Sequence, residues 1–317
     1  MSSAGSIELH YYLSDGAHSM DAMLRNRCEA ELLALFIEVA SNLGVSTQIE
    51  AQALAEGGLR EIWKWLGENA TQVNVILTVV MVLITLKPDS DSEQEILNKA
   101  LMKLSIEEKQ LQIERLRKEL GEVEPRSESA VSANAVELLK RDPKIVVRRS
   151  NFYKQLTGNS KIEFIGVTPF DSRNQPILPE KKIPRDDFRL FILSTHSLDP
   201  VIYDDATIEI ISPVLREGSY KWKGIFEKEP INFTMQDLKF KGQVLREEIT
   251  FQHGTFLECV LHVHRKLDEV GEVEITGWVV TTVLRKYDDR QSVETSQGRD
   301  YKQAKRLRDS QNDFFGR

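Results

Sequence analysis

The chain has 317 residues, 41% hydrophobic and 29% charged; this exceeds what one hydrophobic core usually supports and excludes a disordered, collagen-like or multi-span membrane protein. Its 42 Lys and Arg face 49 Asp and Glu, and the resulting charge of −7 is opposite to the basic footprint of a nucleic-acid binder, so nucleic acid is not the expected partner. Only Cys28 and Cys259 could pair, too few for a disulfide-stapled secreted fold, and the opening MSSAGSIELHYYLSD has no basic segment followed by an apolar run, so a cytoplasmic setting is expected.

Ile7 to Leu13 is a short apolar and aromatic run ended by Ser14-Asp15-Gly16, which reads as a strand and a turn. Met20, Leu24, Cys28, Leu32, Leu35, Val39 and Leu43 then recur every three or four positions, the stripe of a helix with one buried face. Ser19 is placed to cap its amino end, with Asp21 near the positive pole, and Gly44 to close its carboxyl end. VSTQIEAQA, residues 45–53, alternates as a second strand, and Glu56-Gly57-Gly58 breaks it before LREIWKWL. Read as a helix, that segment separates Trp63 from Trp65, since residues two apart cannot share a helical face. The opening is therefore expected to be a β-α-β-α module.

Val73 to Leu86, VNVILTVVMVLITL, carries no charge. As a helix its 14 residues reach about 21 Å, short of the roughly 30 Å bilayer core, and Lys64, Glu68, Lys87 and Asp89 flank it. Two readings stand open: a buried core helix or strand, or an oligomer-lining or membrane-inserting helix with Trp63 and Trp65 at its boundary and Val73, Val80 and Leu83 as contacts. Residues 93–121 are dense in helix formers and close at Gly121. Their imperfect leucine spacing fits either a docked amphipathic helix or a coiled-coil stalk with Leu104 and Leu111 in its seam.

The polar stretch 122–134 reads as a linker between an N-terminal module, 1–121, and a β-rich domain, 135–288, with a polar, basic tail at 289–317. From Lys161 onward, eight strand-like segments are separated by Pro, Gly and Asp turns. In the clearest one Leu257, Cys259, Leu261 and Val263 alternate with Glu258, His262 and His264. The expected fold class is α+β, with an antiparallel sandwich or barrel in the second half.

The nucleotide-binding, nucleophile-elbow and zinc signatures are absent, so no catalytic residue, metal ligand or cofactor is assigned. His262 and His264 share a strand face, but a zinc site needs three or four ligands and only His253 and Glu258 are nearby in sequence. Asp171 with Glu180 and Lys182 has the residue types of a metal-dependent nuclease, yet Pro176, Pro179 and Pro184 suggest an irregular loop. Asp186-Asp187 and Asp204-Asp205 read as turn residues, and His18, Ser19 and Asp21 as capping. Tyr220, Trp222 and Phe226 alternate with Lys221, Lys223 and Gly224, a pattern that serves either base stacking or sheet packing. Tyr220 and Trp222, with Lys305 and Arg306 of the basic tail patch, are the expected partner-binding residues.

HSMDAMLRNRCEAELLALFIEVASNLG, EGGLREIWKWL and VNVILTVVMVLITL resemble uncharacterised bacterial proteins of mobile and antiviral-defence gene islands, mainly over residues 5–120. The resemblance implies a bacterial context and a defence role, with no transferable catalytic motif. The combined expectation is a non-catalytic sensor, adaptor or effector subunit, a homo-oligomer that binds a protein partner, with peripheral membrane contact if the apolar run is exposed. The alternatives are a metal-dependent nuclease or hydrolase built on Asp171, Asp187 and Asp205, and a nucleic-acid-binding module on the Tyr220–Phe226 strand.

Overall fold

The computed structural model describes residues 3–14, 19–52, 59–87, 106–122, 124 and 127–315. They form two compact units, Met1–His196 with Leu267–Glu272, and Ser197–Lys266 with Val273–Arg317. The architecture is α+β.

In the first unit, β1 (Ser3–Leu13), β2 (Gln48–Gln52), β3 (Leu59–Gly67), β4 (Ile162–Phe170) and β5 (Lys181–Pro184) make an antiparallel sheet in the order β2-β3-β1-β4-β5. The helical expectation for LREIWKWL is corrected. It is β3, and Leu59, Glu61, Trp63 and Trp65 alternate inward because a strand's period of two places residues two apart on one face. Phe36 packs against both indoles, at centroid distances of 5.4 and 5.6 Å. The opening is thus β-α-β-β-α.

Helix α1 (Ala22–Leu43) follows the expected stripe, burying Cys28, Leu32, Leu35, Phe36 and Val39. Its cap is Asp21, whose carboxylate accepts the Leu24 amide at 2.8 Å, and not Ser19. Gly44 ends it at φ 68°, the left-handed conformation that glycine adopts without strain. The apolar run is helix α2 (Ala70–Thr85), started by Asn69. It is buried nearly all round, as an all-apolar helix must be, lying against β1, β3 and β4 on one side and helices on others. The Arg149 guanidinium and Tyr153 hydroxyl donate to the Leu83 and Ile84 carbonyls, both at 2.9 Å, satisfying groups that a helix end leaves open. Among the described residues no helix is long and apolar enough to cross a membrane.

Helix α3 (Ile106–Gly121) buries Leu116 and Leu120, and Arg117 donates to the Ser41 and Asn42 carbonyls at the end of α1. The expected linker instead holds most of α4 (Glu128–Leu139), whose Val131, Ala135, Val136 and Leu139 are buried. With α5 (Pro143–Thr157), β4 and β5 it completes the first unit. The boundary after residue 121 is therefore moved to residue 196, because apolar residues at helical spacing beyond Ser127 join the first core.

The second unit contains β6 (Ser197–Ser212), β7 (Trp222–Phe226), β8 (Glu229–Met235), α6 (Leu238–Leu245), β9 (Phe256–Leu267), β10 (Val273–Tyr287), β11 (Ser292–Glu294) and α7 (Ser296–Phe315). The strands follow the order β11-β10-β8-β7-β6-β9, and β10 also pairs with β9, which closes a ring of five with β11 appended. Of the expected sandwich or barrel, the barrel is what forms. One pairing departs from the antiparallel expectation: β8 and β10 are parallel, since the chain crosses through α6 and β9 between them. Trp222, Phe226, Phe233, Phe240, Leu257 and Cys259 fill the interior.

Candidate nucleic-acid interface

The ring's connectivity is a three-strand meander β6-β7-β8, a helix, then the hairpin β9-β10, with the last strand parallel to the third and the fourth antiparallel to the first. This is the strand order of the five-stranded Greek-key barrels that bind oligonucleotides and oligosaccharides, whose ligands lie across the second and third strands and the loop joining the first two. Here those parts are β7, β8 and residues 213–221.

On β7, Trp222, Gly224 and Phe226 point inward and Lys223 outward. The expectation that Trp222 meets a partner is corrected: it is fully buried, 5.4 Å from the Phe251 ring. The strand's alternation sends its aromatic residues to the core and its cation to water. Tyr220, just before the strand, is 55% exposed. Its ring lies back over Gly218, where a Cβ would come within 2.7 Å of the ring, and the Arg216 guanidinium sits 5.7 Å from the ring centre, within cation–π range. Lys241 on α6 donates to the Gly218 carbonyl at 2.9 Å and so ties the loop to the barrel. Lys221 and Lys223 are exposed beside it, Lys223 paired with Asn232 of β8.

The same loop walls a cleft of about 710 Å³ whose other wall is residues 247–254. Ile211, Pro213, Leu215, Ile249 and Phe251 give it an apolar lining, with Gln252 and His253 at hand for hydrogen bonding. Ile211 is 50% and Leu215 68% exposed. An exposed ring, cations on the adjoining strand and a mostly apolar cleft with polar groups are the parts that a stacked, charged polymer needs.

Trp63, Trp65, Val73, Val80 and Leu83 are each no more than 2% exposed. Their expected role at an oligomer or membrane contact is corrected, since the first unit's own core covers them. Leu111 is exposed, and Leu104 lies outside the described residues. Lys305 is also corrected: its ammonium, 2.7 Å from Asp204, joins Tyr301 in holding α7 to β6. Arg306 lies on the same helix. Asp171 accepts the Arg173 and Gln175 amides as a turn, Asp187 pairs with Lys87 at 2.5 Å, and Asp205 stands on β6 in the other unit. No group of three His, Cys, Asp or Glu among the described residues is arranged to hold a metal ion. Cys28 and Cys259 are buried free thiols, and burial pushes Cys28 up to about 12.

No protein-family model matches the sequence, and no match is found among curated proteins or solved structures. Sequence reading found the Tyr220 and Lys223 pattern but not the cleft, whose walls stand up to 45 residues apart between Glu209 and Gly254.

Proposed function

We propose that the C-terminal unit is a recognition module for single-stranded nucleic acid, held along β7, β8 and the 213–221 loop. The observation that carries this reading is the closed five-strand ring with its meander, helix and hairpin order, joined to an exposed tyrosine and outward lysines at the position where such barrels take their ligand. Fold alone does not set function, so the side chains matter: Tyr220 offers a stacking face, and Arg216, Lys221 and Lys223 offer phosphate contacts. The overall charge of −7 does not oppose this, because contacts with the backbone act over about a Debye length, roughly 8 Å at physiological salt. Such a module binds its target without transforming it, in keeping with a sensor or adaptor role.

The test is fluorescence anisotropy of the full chain with labelled single-stranded and duplex oligonucleotides. Tyr220→Ala is expected to weaken single-strand binding by about fivefold to a hundredfold, the equivalent of about 1–3 kcal/mol for one lost base stack. Lys221→Glu with Lys223→Glu should weaken it further and flatten its salt dependence. Undetectable binding, or affinity indifferent to both variants, would refute the proposal; binding to an oligosaccharide in its place would reassign the barrel.

A further inference from the structure

The face of the first unit's sheet that points away from α1 and α2 carries a set of groups that the fold does not require. Register pairs Arg60 of β3 with His10 of β1, His10 with Gly166 of β4, and Gly166 with Lys182 of β5. Four residues from four strands therefore stand in one row on one face, neighbours being about 4.8 Å apart. Glu180 completes the row from above. A Cβ on Gly166 would lie 2.0 Å from its Oε1, so only glycine leaves room for that carboxylate.

Glu180 accepts the Tyr12 hydroxyl at 2.8 and 3.1 Å. The Lys182 ammonium lies 4.1 Å from the Tyr12 ring centre and 3.6 Å from Glu180. The His10 ring lies against Tyr12, 3.9 Å between ring centres and tilted by 32°, and Arg60 is held by Glu8 at 3.2 Å. No protein group hydrogen-bonds the His10 ring nitrogens among the described residues. Burial first, then Arg60 and Lys182, draw its pKa below the usual 6.5, with Glu180 opposing, so the imidazole is neutral near pH 7 and able to accept a proton.

A neutral imidazole flanked by two cations, with no hydroxyl or thiol of the protein bonded to it, needs a substrate that brings its own nucleophile and an anionic reacting centre. We propose that this face cleaves RNA by transfer to the adjacent 2′-hydroxyl. His10 takes the proton of the 2′-OH; O2′ bonds to phosphorus as the bond from phosphorus to O5′ breaks. The departing O5′ takes a proton from Lys182, and exchange with solvent returns both groups to their starting states. The products are a 2′,3′-cyclic phosphate and a 5′-hydroxyl, and the step uses no water, oxidant or metal. Arg60 and Lys182 offset charge on the phosphorane; Glu180 and Tyr12 are positioning residues that hold Lys182 over the row. This inference stands on the first unit alone and does not depend on the barrel's ligand.

The full chain is incubated with EDTA and a mixed-sequence oligoribonucleotide, its 2′-O-methyl analogue and a dinucleoside monophosphate too short to need the barrel. Cleavage of the RNA and the dinucleotide to cyclic-phosphate ends, with the analogue intact, is expected. His10→Ala should lower the rate by about a hundredfold or more, and His10→Gln should do the same while circular dichroism shows an unchanged fold. The rate should rise with pH along a limb below pH 6.5 and level off at neutrality, a limb that both variants lack. No RNA cleavage between pH 5 and pH 8, cleavage of the 2′-O-methyl analogue, or an undiminished rate in the His10 variants would overturn the proposal. RNA binding without cleavage would overturn this site and leave the barrel reading intact.

Discussion

Trp65 is fully buried in the first core, and its indole nitrogen has no hydrogen-bond acceptor among the described residues, so its contribution is packing without a polar anchor. Trp65→Ala is expected to destabilise the chain by about 3–5 kcal/mol through lost contacts and a cavity. Trp65→Phe should cost much less, because it removes an unsatisfied donor along with the area. Urea unfolding of both variants measures this, and equal losses would contradict it. Gly166 is a second position where one atom decides. Gly166→Ala should expel Glu180 from Tyr12 and lower the stability of the chain; a Tm unchanged from the parent would count against the geometry. A third case is Asp288. The Lys286 ammonium at 2.5 Å, with the Arg290 and Gln291 amides, holds its carboxyl from 3.8 down to about 2. A carboxyl depressed on folding stabilises the fold above its unfolded pKa, and that contribution is lost as pH falls toward the folded value. Asp288→Asn should therefore lower stability near neutrality and narrow the gap to the parent between pH 4 and pH 2, read from thermal unfolding at each pH.

At the scale of elements, local pattern and long-range partner contributed unequally to what could be read. The α1 stripe and Gly44 were legible because a helix declares its period within its own residues. The apolar run declared that it must be covered, yet not by what: Arg149 and Tyr153, which satisfy its last carbonyls, come more than 60 residues later. LREIWKWL was misread because two tryptophans, an isoleucine and two leucines among charges suit either period over so short a span. Pairing with β1 and β2 selected the strand. Lys181–Pro184 was taken for loop on account of Pro176, Pro179 and Pro184, although an edge strand such as β5 tolerates Pro184, having no partner on its open side. The β7–β8 hairpin carries strain that sequence alone hides. Glu227 and Lys228 form its two-residue turn at φ 49° and 70°, where Asn-Gly is preferred. Replacing Glu227 by Asn and Lys228 by Gly should stabilise the chain by about 1–2 kcal/mol, seen as a higher Tm; a lower Tm would contradict this turn.

For the whole molecule, the α+β class and the β-rich second half follow from composition and period, but the division of the chain does not. Residues 122–134 are polar enough to suggest a linker, and only the burial of Val131 and Ala135 reveals a helix that belongs to the first core. Ring closure was equally hidden, since the parallel pairing of β8 with β10 joins residues 45 apart, Trp278 with Phe233. That closure underlies the proposal that the molecule holds single-stranded nucleic acid on its second unit. Amide hydrogen exchange of the full chain, with and without a saturating single-stranded oligonucleotide, tests it most directly. Slowed exchange concentrated in residues 213–223 and 229–235, and weaker in Tyr220→Ala at an oligonucleotide concentration near the parent Kd, is the predicted result. No protection there, or protection that survives that substitution unchanged, would contradict it.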